Sequence, residues 1–218
     1  MVVVCILALP IWNVNHIEVQ NNTHYTDDEI IRVAQVKKEH RLHISFKKAK
    51  NNLLKLPYIK SVSINYIFPG KMVIKLTEKE AFAYIPFMGS YLCLDENGQV
   101  IEQTDKKILS LPSIKGLNFT QFKVGDMLQV ENKDHLAYAI QIIHLLKKYK
   151  YDTIINEIDI YNLEQIHLYV NNLHVIIGNI EDFDKKLQWL IETRKLYDVG
   201  ILDLSHIKNG QAILSPIQ

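Results

Sequence analysis

The chain has 218 residues, of which 48% are hydrophobic and 22% charged, so its composition is that of a globular protein and not of a disordered one. This length exceeds the roughly 100 to 200 residues typical of one domain, and two small domains are expected. The 25 Lys and Arg residues nearly balance the 24 Asp and Glu residues, and a net charge of +1 does not favour nucleic-acid binding.

The first segment, MVVVCILALPIW, is apolar throughout, and polar residues begin at Asn13. A membrane-spanning helix needs about 20 apolar residues, and a signal peptide needs a basic leader and a cleavage site. Residues 1–12 are therefore predicted to be a partial transmembrane anchor, with Trp12 at the water interface and further residues upstream in the natural protein. The alternative is a buried first strand over VVVCIL.

The next residues first alternate in polarity and then change to helical spacing. Residues 14–19 predict a short strand. It ends in a turn at residues 20–22, where Asn adopts the left-handed conformation at low cost. Thr26 and Glu29 have the spacing of a capping box, in which each side chain accepts a backbone N–H bond, and predict the start of a helix.

A second helix is predicted from Phe46, because apolar residues recur there at helical spacing between lysines, and Pro57 is expected to close it. Two half-buried strands follow, over residues 58–68 and 71–78, and a Pro-Gly turn joins them. The predicted order of this first half is strand, helix, helix, strand, strand.

This order and its residues, IEVQNNTHYTDDEI and then LLKLPYIKSVSINYIFPGKMVIKLTEKEAFAY, resemble the POTRA domain of the FtsQ/DivIB family of bacterial cell-division proteins. The stretch at residues 56–59, the turn at residues 68–69 and the exit at residues 78–81 match the family's pattern in order and spacing. The resemblance covers nearly the whole chain from Val14.

Two positions depart from the family's pattern. Asn21 stands where the family has a glycine in the first turn, and no glycine precedes Ile44. Asn is the commonest substitute where positive φ is needed, so the first turn is expected to persist. Residues 40–43 are expected to form a different connection between the helices.

The second half of the chain resembles the second domain of the same family. A hairpin is predicted around the turn that ends at Gly98, and residues 111–117 resemble the next landmark of the family. The remaining elements follow from periodicity: a helix from Lys133, strands over 154–160, 166–170 and 173–177, a helix over 183–196 and a strand over 201–204. A final hairpin is predicted, with its turn at Asn209-Gly210 and its last strand over 211–214.

The predicted fold class is therefore α+β, with a small POTRA domain of βααββ order followed by a larger mixed β-sheet domain with helices. The predicted boundaries are residues 1–12 for the partial anchor, 13–80 for the POTRA domain and 81–218 for the FtsQ/DivIB C-terminal β domain.

Catalytic motifs are absent from the sequence, which contains no G-x-S-x-G, H-E-x-x-H, G-x-x-x-x-G-K-[ST] or G-x-G-x-x-G. Cys5 and Cys93 have neither a metal-ligand spacing nor a disulfide framework. His40 and His43 have no carboxylate or thiolate pair nearby and are expected to be loop histidines. The chain is predicted to be no enzyme and to use no cofactor, metal or small-molecule substrate. The alternative is an enzyme, a hydrolase without a known motif. A pocket with convergent ionisable groups of strongly shifted pKa would support it.

Two further polar groups have structural explanations. Asp27, Asp28 and Glu29 complement the dipole at a helix N-terminus. Tyr149 and Tyr151 stand among lysines as in a nucleic-acid platform, but cations at a helix C-terminus explain them better. Nucleic acid is not an expected partner.

The resemblance implies a cell-division scaffold that crosses the cytoplasmic membrane once, with its N-terminus in the cytoplasm and its folded domains outside, at the septum. The implied partners are two bitopic coiled-coil proteins, FtsB (DivIC in Gram-positive bacteria) and FtsL, and the implied role is support of septum formation. The alternative is a POTRA-type polypeptide-binding module of a translocation machine, although such chains carry several POTRA copies and a barrel.

The candidate binding surface is the last predicted strand, which has a sequence neighbour on one side and no charge to blunt its edge. A partner segment could add a strand there through main-chain hydrogen bonds. In the family the C-terminal strand and its preceding turn hold FtsB, although aromatic residues of some members appear here as His206 and Ser215. The candidate residues are His206, Asn209, Gly210, Gln211, Ala212, Ile213 and Leu214. The alternative is that another segment covers this strand.

Overall fold

The computed structural model describes residues 14–36, 46–106, 111–207 and 210–216. The apolar segment 1–12, both loop histidines between the first two helices and Asn209 lie outside the described residues. The chain divides after Glu80 into two compact units, each with its own hydrophobic core.

The first unit has the predicted βααββ order. Its three-stranded sheet has the order β1-β3-β2, with β1 parallel and β2 antiparallel to the central strand. The elements are β1 His16–Gln20, α1 Asp27–Ala34, α2 Phe46–Leu53, β2 Ile59–Ile67 and β3 Lys71–Glu78.

Local sequence signals explain how this unit folds. The Glu29 N–H donates to Oγ1 of Thr26 at 3.3 Å, and the Thr26 N–H donates to Oε2 of Glu29 at 2.9 Å, which confirms the capping box. Asn21 has φ 64°, which confirms the left-handed turn after β1. The fully buried side chains hold the two helices on the sheet, and each contributes about 1.5–3 kcal/mol by leaving water: Ile30, Leu53, Met72, Ile74 and Leu76.

Two expectations for this unit were wrong in detail. Helix α2 ends at Leu53 and is not closed by Pro57. The Leu56 N–H donates to the Leu53 carbonyl at 3.0 Å, so the chain leaves the helix through a tighter turn that satisfies this terminal carbonyl. The half-buried strand predicted over residues 58–68 was slightly too long, because β2 ends at Ile67 and the Phe68 side chain is 61% exposed.

Among its described residues the second unit has a nine-stranded mixed sheet and two helices, which confirms the α+β class. Its strand order is β12-β11-β10-β9-β8-β7-β4-β5-β6, and β4 was not predicted. The elements are β4 Ala83–Phe87, β5 Ser90–Leu94, β6 Val100–Thr104, β7 Ser113–Lys115, α3 Lys133–Lys148, β8 Glu157–Asp159, β9 Ile166–Val170, β10 Asn172–Gly178, α4 Phe183–Arg194, β11 Val199–Asp203 and β12 Ile213–Ser215.

Both helices of this unit pack against the sheet. Ile143 of α3 and Leu187 of α4 share a buried cluster with Leu168 of β9. The helix predicted over residues 183–196 was too long, because α4 ends at Arg194 and Leu196 is 78% exposed. None of the helices in the described ranges is long and apolar enough to cross a membrane.

The predicted final hairpin is confirmed in its antiparallel pairing of β11 with β12, but its two-residue turn was wrong. Strand β11 ends at Asp203 and β12 begins at Ile213, so residues 204–212 connect them. The last strand starts at Ile213, later than the predicted residue 211. The reason is burial, because Leu204 and Ile207 enter the core before the chain returns to the sheet.

Candidate functional site at the outer edge of the second sheet

Strand β12 is the terminal strand in the order of the nine-stranded sheet. It pairs antiparallel with β11, with Leu202 opposite Leu214 and Asp203 opposite Ile213. In the part of the chain that the structure describes, no strand pairs with the other side of β12. Alternate N–H and C=O groups of an edge strand point away from its neighbour, so β12 presents main-chain donors and acceptors at the rim.

A glycine in β11 allows β12 to approach. Gly200 has φ 137°, and an added Cβ would lie 2.9 Å from the carbonyl oxygen of Ser215 and 3.3 Å from Cδ1 of Leu214. Real Cβ atoms do not approach a carbonyl oxygen so closely. A side chain at this position would therefore push β12 away from the sheet.

Hydrogen bonds and burial fix the connection before β12. The Leu204 N–H donates to the Ile176 carbonyl at 2.8 Å and so extends the pairing of β10 with β11. Oδ1 of Asp203 accepts bonds from the Ser205 N–H at 2.8 Å and from the Ser205 hydroxyl at 2.5 Å. The Gly210 N–H donates to the Ile207 carbonyl at 2.8 Å. The edge strand is thus held in position from both β11 and its own connection.

A small pocket of about 270 Å³ opens at the start of β12, and it is lined by Asp203, His206, Gln211 and Ile213. Asp203 was not among the predicted residues. Sequence patterns did not indicate it, because only the register of β11 and β12 places Asp203 opposite Ile213. The pocket combines a carboxylate with an apolar side chain that is 55% exposed.

The predicted binding residues occupy two different environments. His206, Gln211 and Ile213 are exposed around the pocket, and Gly210 is exposed in the connection. Ala212 and Leu214 are partly buried and pack against the core, so they position the strand rather than line the pocket. Asn209, the remaining predicted residue, is outside the described residues.

Other candidate clusters are accounted for by local structure. The pKa of Glu29 is lowered by bonds from the backbone and then the side chain of Thr26, as expected for a helix cap. Tyr149 donates its hydroxyl to Asp184 at 2.7 Å, and Lys148 lies 3.2 Å from the same carboxylate. Within residues 14–36, 46–106, 111–207 and 210–216, no group of three or more His, Cys, Asp or Glu side chains could hold a metal ion.

A histidine pair on the second sheet was missed by sequence reasoning. Nδ1 of His167 on β9 lies 2.9 Å from Nε2 of His174 on β10, and the Tyr169 ring stacks on His174 with centroids 4.8 Å apart. Burial, and next the charge of His167, lower the pKa of His174. The signal available in the sequence was alternation, since His167, Tyr169 and His174 all alternate with the apolar residues of their predicted strands.

Comparison with known proteins agrees with the resemblance. The POTRA domain model of FtsQ type matches residues 12–79. The cell division protein DivIB of Clostridium tetani is 29% identical over 180 residues, which cover 82% of this chain and 68% of that protein. DivIB of Clostridium botulinum strain Hall is 28% identical over 216 residues, covering 96% of this chain and 84% of that protein.

A further relative, the cell division protein FtsQ of Corynebacterium glutamicum, is 30% identical over 140 residues, covering 64% of this chain and 58% of that protein. The solved major extracytoplasmic domain of DivIB from Geobacillus stearothermophilus aligns with 55% of this chain and 95% of that chain, at 19% identity and a TM-score of 0.35. Residues 12–79 thus match the FtsQ-type POTRA domain, and most of the chain is similar to bacterial cell division proteins named DivIB.

Proposed function

We propose that this protein is a non-catalytic scaffold of the division machinery that binds a partner polypeptide at the free edge of β12. Residues 1–12 would tether it to the cytoplasmic membrane, with a POTRA domain over residues 13–80 and a binding domain over residues 81–218 outside the cytoplasm at the septum. The partners would be the FtsB/DivIC-like and FtsL-like bitopic division proteins. The names of the relatives, which are cell division proteins, support the division role.

The open edge is the observation that carries this proposal. Soluble proteins usually blunt an edge strand with charge, a bulge or proline, and Ile213, Leu214 and Ser215 provide none of these before Pro216. An added strand would form main-chain hydrogen bonds with β12 and would extend the nine-stranded sheet. Affinity would come from the backbone, and selectivity from the side chains beside it.

The two faces of β12 suggest what the added strand presents. Side chains of neighbouring strands that lie opposite each other share a face, so alternate residues of the partner would fall beside Leu214 and beside Ile213. Leu214 packs against the core and favours an apolar neighbour. The pocket next to Ile213 contains the Asp203 carboxylate and favours a cationic or hydrogen-bond-donating side chain.

Proline substitution tests the proposal. Ala212 directly precedes β12 and Ile213 is its first residue. Consecutive N–H groups of an extended chain point to opposite sides, so one of Ala212→Pro and Ile213→Pro should remove a donor from the free edge. We expect at least one of them to weaken binding of the purified DivIC-like partner about tenfold or more, measured by calorimetry, which corresponds to about 1.4 kcal/mol. Ala212→Ser keeps the backbone donor and is the matched control.

Circular dichroism and thermal unfolding would establish that each variant is folded. If both folded proline variants bind the partner as the parent chain does, strand addition at β12 is wrong. Purification of the full-length protein from cells tests the wider proposal, because recovery of the two coiled-coil proteins is expected, and recovery of an outer-membrane barrel would contradict the division scaffold.

A further inference from the structure

The turn between β2 and β3 forms an apolar tip on the first unit. Ile67 is 51% exposed and Phe68 is 61% exposed, and Pro69 and Gly70 complete the turn. Single exposed apolar residues are common on protein surfaces, but adjacent aliphatic and aromatic side chains at a projecting turn are a compact apolar feature.

The chain enters the first unit beside this tip. The Asn15 N–H and the His16 N–H both donate to the Gly70 carbonyl, at 2.7 and 3.1 Å. The register of β1 with β3 then places His16 next to Lys71. Trp12 is three residues before Asn15, so covalent geometry limits it to about 11 Å from this point. The end of the apolar segment 1–12 is therefore within reach of the apolar tip.

The opposite end of the unit carries a bound carboxylate. Strand β3 runs from Lys71 at the tip to Glu78, a distance of about 23 Å at the usual rise per residue. There the Glu78 carboxylate accepts bonds from the Thr23 N–H at 2.9 Å and from the His24 N–H at 3.2 Å. The exposed pair Ile67 and Phe68 thus lies at the end of β3 where Asn15 and His16 enter the unit, and the Glu78 carboxylate lies at the other end.

Charge does not oppose a lipid contact at the tip. Glu18 belongs to the entry strand β1, and Nζ of Lys71 is 2.6 Å from its Oε2. The lysine therefore compensates the negative charge that would otherwise face anionic lipid headgroups. The Lys71 side chain is itself partly exposed and can remain in the headgroup layer while apolar neighbours enter it.

We propose that the tip, Ile67 and Phe68, contacts the lipid bilayer interface beside the membrane-tethering segment. This inference rests on the proposed tether by residues 1–12. Aromatic and aliphatic side chains are stable at the headgroup boundary, and a covalently tethered domain meets that boundary at high effective concentration. The tip would make a second contact with the membrane and so restrict the tilt of the first unit.

Tryptophan fluorescence of the full chain in liposomes tests this contact, with lipids brominated in their acyl chains as the quencher. Both native tryptophans, Trp12 and Trp189, are replaced by Phe, and a single tryptophan is then introduced. Phe68→Trp gives the tip variant, and Thr77→Trp gives the far-end variant, which is the matched control. Thr77 is exposed on β3, about 20 Å from Lys71. A third chain, the tether variant, carries only Trp189→Phe and therefore reports the environment of Trp12.

We expect emission of the tip variant to shift to shorter wavelength in liposomes and to be quenched at least about threefold more than emission of the far-end variant. Emission of the tether variant should also be quenched. A quenched tether variant with an unquenched tip variant would overturn the tip contact and leave the tether standing. A quenched tip variant with an unquenched tether variant would support the tip contact and overturn the tether.

Two other outcomes would also overturn the inference. A blue shift of the tip variant without quenching would indicate burial against protein, such as a second copy of this chain, instead of lipid. Absence of quenching in both the tip variant and the tether variant would overturn the tip contact and the tether together.

Discussion

Gly200 lies directly against Ser215, since a Cβ added to the glycine would be 2.9 Å from the serine carbonyl oxygen. We therefore expect Gly200→Ala to displace β12 and to weaken binding of the DivIC-like partner about tenfold or more, with a loss of stability of about 1–3 kcal/mol. Calorimetric titration and chemical unfolding measure the two effects.

Gly89→Ala is the matched control for that substitution. Gly89 also has a positive φ, 83°, but an added Cβ would have no atom within 4 Å. Gly89→Ala therefore strains the backbone at a positive φ, as Gly200→Ala does, but it adds no contact with β12. If the two substitutions reduce partner binding equally, the close approach at Gly200 is not what positions the edge.

The Glu78 carboxylate anchors the loop after β1. Burial raises its pKa, but the bonds from the His24 side chain and from the Thr23 and His24 N–H groups together outweigh this and lower the pKa. A carboxyl group with a lowered pKa in the folded state contributes stability above its unfolded pKa of about 4.5, and this contribution is lost as pH falls further. We expect Glu78→Ala to reduce the free energy of unfolding by about 1 kcal/mol at neutral pH, measured by urea denaturation.

Glu18→Ala is the comparison for that variant, because Glu18 pairs with Lys71 at a more exposed position on the same sheet. Exposed ion pairs contribute little, so this substitution should leave the urea midpoint nearly unchanged. The anchor role of Glu78 is wrong if the two variants unfold at the same urea concentration.

The histidine pair on β9 and β10 makes stability depend on pH. Burial, followed by the charge of His167, lowers the pKa of His174 from 6.5, and the charge of Asp159 opposes this in part. The unfolded chain therefore binds protons more readily than the folded protein, and stability should fall as pH decreases through 6.5. We expect His174→Gln to flatten the fall in thermal stability between about pH 7.5 and about pH 5.5. An unchanged slope in this variant would show that the pair does not contribute.

The thiol of Cys93 should be unreactive in the folded protein. Burial, and next the charge of Glu102, raise its pKa to about 11. Since the thiolate is the reactive form, we expect the Cys5→Ser variant to react with Ellman's reagent at about pH 8 roughly 100-fold more slowly than a free thiol. Guanidinium should restore the ordinary rate. Fast reaction in the absence of denaturant would contradict the buried position.

The first unit could be predicted almost entirely from sequence, because its signals lie in neighbouring residues. Thr26 and Glu29 are within one helical turn, so their capping box forms wherever that turn forms. Asn21 supplies the left-handed turn by its own conformational preference. The prediction was less accurate where termination depended on packing, as at Leu53, since proline restricts only the residues next to it.

The binding edge was determined only in part by sequence. The residues of the last strand show that it is uncharged and largely apolar. This composition was sufficient to predict a candidate surface. Sequence patterns did not reveal the long connection, since Asn209-Gly210 satisfies a two-residue hairpin locally, whereas burial of Leu204 and Ile207 depends on the rest of the core. Likewise, Asp203 meets Ile213 only through the register of β11 with β12. Turn and cap signals act over a few residues, but register and strand order are decided by contacts between distant segments, and only the tertiary structure brings those segments together.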